Sequence, residues 1–94
     1  MASRSAHGLR RQWALELGEH GIRVLTIKTG GVPESIDESF APREAITESI
    51  VKETLLKRAA TLEDVGNVAA FVVSDLARTI TSTEVNISCG ALVD

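Results

Sequence analysis

The stretch with the most chemical potential is Thr29-Gly30-Gly31-Val32-Pro33-Glu34-Ser35. Its paired glycines and its proline favour a loop, and an apolar run precedes it. In open α/β sheets, ligands sit outside the carboxyl ends of strands, so a loop in this position is a ligand-binding candidate. The competing reading is a plain strand-to-helix connection. Other chemistry is sparse. No G-x-G-x-x-G turn is present to hold a pyrophosphate at a helix N-terminus, and Gly30-Gly31 alone is a weak signal. His7 and His20 have no companions at zinc-ligand spacing, so they read as surface residues and no metal site is expected. Serine, histidine and aspartate all occur, but a triad is recognised by geometry and nothing in their order suggests one. The single cysteine, Cys89, excludes an internal disulfide and a cysteine metal cluster, and it reads as a small buried residue. No residue is assigned a catalytic role.

The elements that must position the loop follow from periodicity. Residues 5–18 read as an amphipathic helix with Ala6, Leu9, Trp13 and Leu17 along one face. Arg10 and Arg11 read as its solvated side, and Trp13 as core or interface. Gly18 and Gly21 punctuate its end. Residues 21–27 read as a strand covered on both faces, as in a parallel sheet. After the loop, residues 43–56 predict a second helix sharing Ile46, Ile50, Val51 and Leu55. Thr61 caps a third helix, with Glu63 and Asp64 near its positive end and a stripe of Val65, Val68, Ala69, Val72 and Val73. A polar connection, 78–83, leads to a last strand, 84–88, which Gly90 ends.

The order is helix, strand, loop, helix, helix, strand. A strand, a helical crossover and a strand make the unit that joins parallel strands. Two strands make a poor sheet alone. The fold class expected is therefore α/β, an incomplete doubly wound parallel sheet occupying residues 1–94 with no second domain. The 94 residues carry a net charge of -3 and no basic tract, which argues against a nucleic-acid surface. No apolar run reaches the roughly 18 residues of a membrane span, and the N-terminus lacks the build of a signal peptide. These features point to a cytoplasmic protein.

Two runs of residues resemble a known family. Trp13-Ala14-Leu15-Glu16-Leu17-Gly18 followed by His20-Gly21-Ile22-Arg23-Val24 is similar to a helix-to-strand passage of the short-chain dehydrogenases/reductases. Arg58, Thr61, Glu63-Asp64-Val65, Ala70-Phe71 and Ser74-Asp75 resemble the family's late helix. Ile80-Thr81-Ser82-Thr83, Val85-Asn86-Ile87 and Gly90 resemble its closing strand. The resemblance covers nearly the whole chain and implies the C-terminal part of a Rossmann domain. It also implies an NAD(P)-dependent oxidoreductase whose loop at 29–35 runs past the nicotinamide. Thr29, Gly30, Gly31, Val32 and Ser35 are the cofactor-binding residues it suggests, with backbone groups at Val32 meeting the carboxamide. Thr29 stands where the family has proline, and Glu34 where it has threonine.

The same resemblance places the family's catalytic lysine at Ser3, or at Arg4 by a one-residue slip. It places the catalytic tyrosine ahead of Met1. That tyrosine donates the proton to the developing alkoxide, and the 94 residues contain none. The expectation is a chain inactive in hydride transfer alone that does not hold NAD or NADP by itself, its small-molecule substrate belonging to a complete parent. The family's long helix packs against a partner subunit, so the 5–18 face is expected to form a homo-oligomer. The alternatives are a non-catalytic oligomerisation or binding module and a truncated gene product.

Overall fold

The computed structural model describes residues 4–94, with the side chains of residues 4–6 outside the description. Helix α1 spans Arg4–Leu17 and runs into a 3-10 turn over Gly18–His20. Gly21 closes it at φ 73°, a left-handed conformation in which a Cβ is strained. Strand β1 is Thr26–Lys28, and the following loop contains a 3-10 turn at Pro33–Ser35. Helix α2 is Arg43–Lys52, helix α3 is Leu62–Val73, and strand β2 is Glu84–Asn86. The element order matches the sequence expectation.

The two strands pair in parallel, with Thr26 opposite Glu84, Ile27 opposite Val85 and Lys28 opposite Asn86. They form a two-stranded sheet, so the expected incomplete α/β architecture is present. Both strands are shorter than their sequence patterns. Residues 22–25 do not continue the ladder. Instead Arg23 donates to the Ile80 carbonyl at 3.2 Å, Val24 N–H to Thr81 Oγ1 at 3.0 Å, and Ser82 N–H to the Val24 carbonyl at 2.7 Å. The backbone groups of this stretch are thus taken up by an irregular connection. At the other end, Ser88 turns back onto Asn86, whose Oδ1 accepts from Ser88 N–H at 3.0 Å and Ser88 Oγ at 2.7 Å.

Helix α2 stops at Lys52, four residues short of the expected end. Thr54, 2% exposed, donates its hydroxyl to the Val51 carbonyl at 2.8 Å, and Lys57 Nζ takes the Lys52 carbonyl at 2.9 Å. Lys57 thereby satisfies a carbonyl the helix end leaves free, while the Val51 carbonyl also accepts the Thr54 N–H at 3.1 Å. Helix α3 begins as expected. Thr61 Oγ1 accepts from Asp64 N–H at 3.0 Å, and Asp64 returns a carboxylate to Thr61 N–H at 2.9 Å, a reciprocal capping box. Of its predicted stripe, Val72 is buried and Val65, Val68 and Ala69 are half-buried. Val73 departs from it at 78% exposed, because the helix ends there and the chain turns away.

The core is small. Ala60, Val72 and Ala77 are its buried apolar residues among those described, while Phe71, Leu76, Leu15 and Leu55 stand exposed. Trp13 is half-exposed, so it is not a core residue. The radius of gyration is 15.4 Å, against about 12 Å for a compact domain of this length. The chain therefore covers less of its apolar surface than a closed domain would.

Candidate functional site

The loop leaves the carboxyl end of β1 directly, because Lys28 is the last ladder residue and its carbonyl accepts from Ile87 N–H at 2.8 Å. Gly30 takes φ 65° with Ser88 close by, so that a Cβ there would sit 3.0 Å from Ser88 Cβ. A Cβ on Gly31 would meet Ile50 of α2 at 2.9 Å. The two glycines therefore admit close neighbours on both sides: the exit of β2 and the body of α2. This is the physical requirement that the paired glycines meet.

The rest of the loop is knit internally. Val32 presents its carbonyl to Ser35 N–H at 3.0 Å and to Ser35 Oγ at 2.7 Å. Both lone pairs of that carbonyl are engaged, and among the described residues the Val32 N–H has no hydrogen-bond partner. Thr29 Oγ1 turns onto the neighbouring Gly30 carbonyl at 3.0 Å. Thr29, Gly30, Gly31, Val32 and Ser35 thus form one continuous turn. A cleft of about 400 Å³ lies beside it, walled by Pro33, Glu34, Arg43, Glu44, Thr47 and Glu48.

The sequence reading missed what Glu34 does. Its Oε1 accepts from Leu62 N–H at 2.6 Å, the first amide of α3. No local signal marks this contact, because the partner lies 28 residues away. The cap at Thr61 was legible, but not that a second carboxylate would come to the same helix end.

A second polar centre sits beneath α1. Thr26, Lys28, Glu84 and Asn86 share one face of the sheet, as their register requires. Glu84 Oε2 lies 3.1 Å from Lys28 Nζ, while His7 and Arg10 approach its Oε1 from α1, Arg10 at 3.6 Å. Lys28 also pairs with Asp94. Arg10 is therefore an ion-pair member and His7 a close neighbour of the same carboxylate, rather than purely solvated side chains, whereas Arg11 and His20 are exposed. The Lys28 ammonium holds the Glu84 carboxyl below its usual range, partial burial opposes this, and the charges of His7 and Arg10 add to it. Lys28 is raised in turn, first by Asp94 and then by Glu84. Ser3, one expected position of the family's lysine, lies outside the described residues, and Arg4 is described in its backbone alone.

Cys89 is half-buried, as a small residue at that turn would be, but it adopts φ 57°. Among the described residues no cluster of three or more His, Cys, Asp or Glu could hold a metal ion. No helix there is long and apolar enough to cross a membrane.

Comparison with known proteins decides the family. The family model described as enoyl-(acyl carrier protein) reductase matches residues 2–91. The chain belongs to the short-chain dehydrogenases/reductases. Within them it is similar to the NADH-dependent enoyl-acyl-carrier-protein reductase FabI of Haemophilus influenzae, 36% identical over 90 residues, which cover 96% of this chain and 34% of that protein. Its structure resembles a putative short-chain alcohol dehydrogenase from Sinorhizobium meliloti, with TM-score 0.78, 30% identity, and 96% of this chain against 36% of the other. It also resembles a 4-hydroxyisoleucine dehydrogenase complexed with NADH, with TM-score 0.78, 30% identity, and 93% of this chain against 36% of the other. The chain thus spans about a third of the length of the short-chain dehydrogenases/reductases it matches. The resemblance read from Trp13 through Gly90 was to the right family.

Proposed function

We propose that these 94 residues supply the cofactor-side loop and the closing strand of an NAD(P)-dependent oxidoreductase, and do not transfer hydride by themselves. The observation that carries this reading is the turn at 29–35, seated at the carboxyl end of a parallel strand and walled by the exit of β2. That is where ligands of open α/β sheets bind. Thr29, Gly30, Gly31, Val32 and Ser35 are the proposed nicotinamide-side residues, with the Val32 N–H as donor. Two of the relatives are named with NADH, so NADH is the first probe and NADPH the second. The absence of tyrosine from the chain removes the family's proton donor from these residues. Cytoplasmic residence belongs to the same proposal. So does self-association through α1, supported by Leu9 and Trp13, which are half-exposed one turn apart.

The test is titration of the chain with NADH and NADPH, read as thermal shift and as nucleotide fluorescence. A ligand that binds the folded state raises the melting temperature, by about 2.7 kcal/mol of stabilisation at a hundredfold excess over Kd. The expected result is no shift with either nucleotide. A saturable shift would show that the chain binds cofactor alone and would overturn the reading.

A further inference from the structure

The turn at 29–35 has one polar anchor. Among the described residues, the contact from Leu62 N–H to Glu34 Oε1 is the one hydrogen bond between residues 29–36 and the rest of the chain. The other bonds of the stretch close on themselves: Ser35 on Val32, and Ile36 N–H on the Pro33 carbonyl at 3.0 Å. The segment is therefore a small internally braced unit, with Gly30 and Gly31 at one end and Glu34 fastened to α3 at the other.

The anchor is of a strong kind. A carboxylate accepting a backbone N–H at a helix N-terminus gains from the formal charge and from the positive end of the helix. The neighbouring donor, Thr61 N–H, is already taken by Asp64, and Asp64 N–H by Thr61, so the capping box leaves the Leu62 amide to Glu34. The arrangement also settles where the Glu34 charge goes. Its Oε1 is engaged by α3, while the side chain still walls the cleft beside the loop.

We propose that Glu34 is a positioning residue: its carboxylate, seated on the first amide of α3, latches the 29–35 turn in place before any ligand arrives. This rests on the reading of that turn as the cofactor-side loop. It assigns Glu34 to no contact with the nucleotide. Its role is to hold the Val32 N–H and the two glycines in one arrangement, which lowers the ordering cost a ligand would otherwise meet.

The helix itself offers a clean way to cut the latch from the other side. Leu62 is the first residue of α3, where proline is favoured and its missing N–H costs the helix nothing. Thr61 already has φ -99° and ψ 166°, the extended conformation that a following proline demands. Leu62→Pro therefore removes the donor and leaves Glu34 and the helix intact. The measurement is backbone 15N relaxation across residues 31–36 in the nucleotide-free chain, for Glu34→Ala, Glu34→Gln, Leu62→Pro and Glu34→Ala/Leu62→Pro.

In Glu34→Ala and Leu62→Pro alike, the order parameters of the turn should fall from about 0.85 to below about 0.6. The double variant should fall no further, since both changes remove one interaction. Glu34→Gln, whose amide oxygen still accepts, should keep most of the order. Amides 65–73 of α3 serve as the control and should not change. Unchanged order in Leu62→Pro, or additive loss in the double variant, would overturn the latch. Because nucleotide is absent from this measurement, its outcome is separate from that of the titration above.

Discussion

The two faces of the small sheet are built on opposite principles. The face toward α1 carries Thr26, Lys28, Glu84 and Asn86, and α1 answers with His7 and Arg10 around the Glu84 carboxylate. The face toward α3 carries Ile27, which lines a cleft of about 670 Å³ together with Ala69, Val72 and Val73, with Arg23 in the same wall. One side is fastened by charge and the other by apolar area. Charge fixes direction at short range and responds to pH and salt. Apolar burial is additive in area and stabilises only where the area is covered. On the charged face Lys28 pairs with Glu84 and Asp94, but the buried His7 Nε2, Arg10 Nη1 and Glu84 Oε1 make no hydrogen bond; on the apolar side Val73 is uncovered, as are Phe71 and Leu76 nearby in the chain. The first finds its opposite charges within the 94 residues but not a full set of hydrogen bonds, and the second asks for more surface than they provide.

The largest effect should come from attacking the apolar face at its one buried point. Val72 is 5% exposed on the side of α3 that meets β1. Val72→Asp places an unpaired carboxylate there, a cost on the order of 3 kcal/mol or more. A small domain with so little core has no margin for that. The cooperative thermal transition should vanish from circular dichroism. Retention of a sharp transition near the wild-type midpoint would mean that the α3 face contributes little and that the charged face alone carries the fold.

An intermediate effect belongs to the charged face, and its sign follows from the pKa directions. Glu84 and Asp94 are lowered from 4.5 and 3.8, and Asp37 and Asp64 from 3.8, so the unfolded chain binds more protons in acid. Their stabilisation is present above those ordinary values and is lost as pH falls through the lowered folded-state values. Lys28 is raised from 10.5, so its contribution is full below that value and fades as pH rises through the folded-state one. Glu84→Gln should flatten the acid limb of a urea-midpoint profile and trim the alkaline limb, and added salt should flatten both in the wild type. Identical acid limbs in the two proteins would place the acid sensitivity with Asp94, Asp37 and Asp64 instead.

How much of this was legible depends on how far away each partner lies. The α3 start was readable because Thr61 and Asp64 are three residues apart and cap one another. The strand read over 21–27 shrank to Thr26–Lys28, since apolarity at residues 22–25 cannot say whether a neighbouring strand is there to pair with. Helix α2 lost its last turn to Thr54 and Lys57, whose bonds to carbonyls compete with helix continuation. At the loop, Gly30 and Gly31 carried their own signal. Glu34 did not, because its meaning depends on Leu62. The ion pair of Arg10 and the approach of His7 were hidden for the same reason, since Glu84 enters at the far end of the chain.

The smallest effect concerns a residue that belongs to neither fastening. Cys89 lies where β2 leaves the sheet and lines a cavity of about 430 Å³ with Leu56, Ala60 and Ile87. Its φ of 57° is left-handed, which costs a residue with a Cβ roughly 1–2 kcal/mol. Glycine removes that strain but loses roughly 0.5–1 kcal/mol through the freedom of the unfolded chain. Cys89→Gly should therefore stabilise by about 0.5–1 kcal/mol, a rise of roughly 2–8 °C in Tm for a chain of this size. Cys89→Ala is the necessary companion, since it removes the thiol and keeps the Cβ. Backbone strain predicts a gain for glycine and none for alanine. Equal gains in both would place the cost in the thiol's packing against the cavity wall, and would make this turn part of the under-filled apolar side.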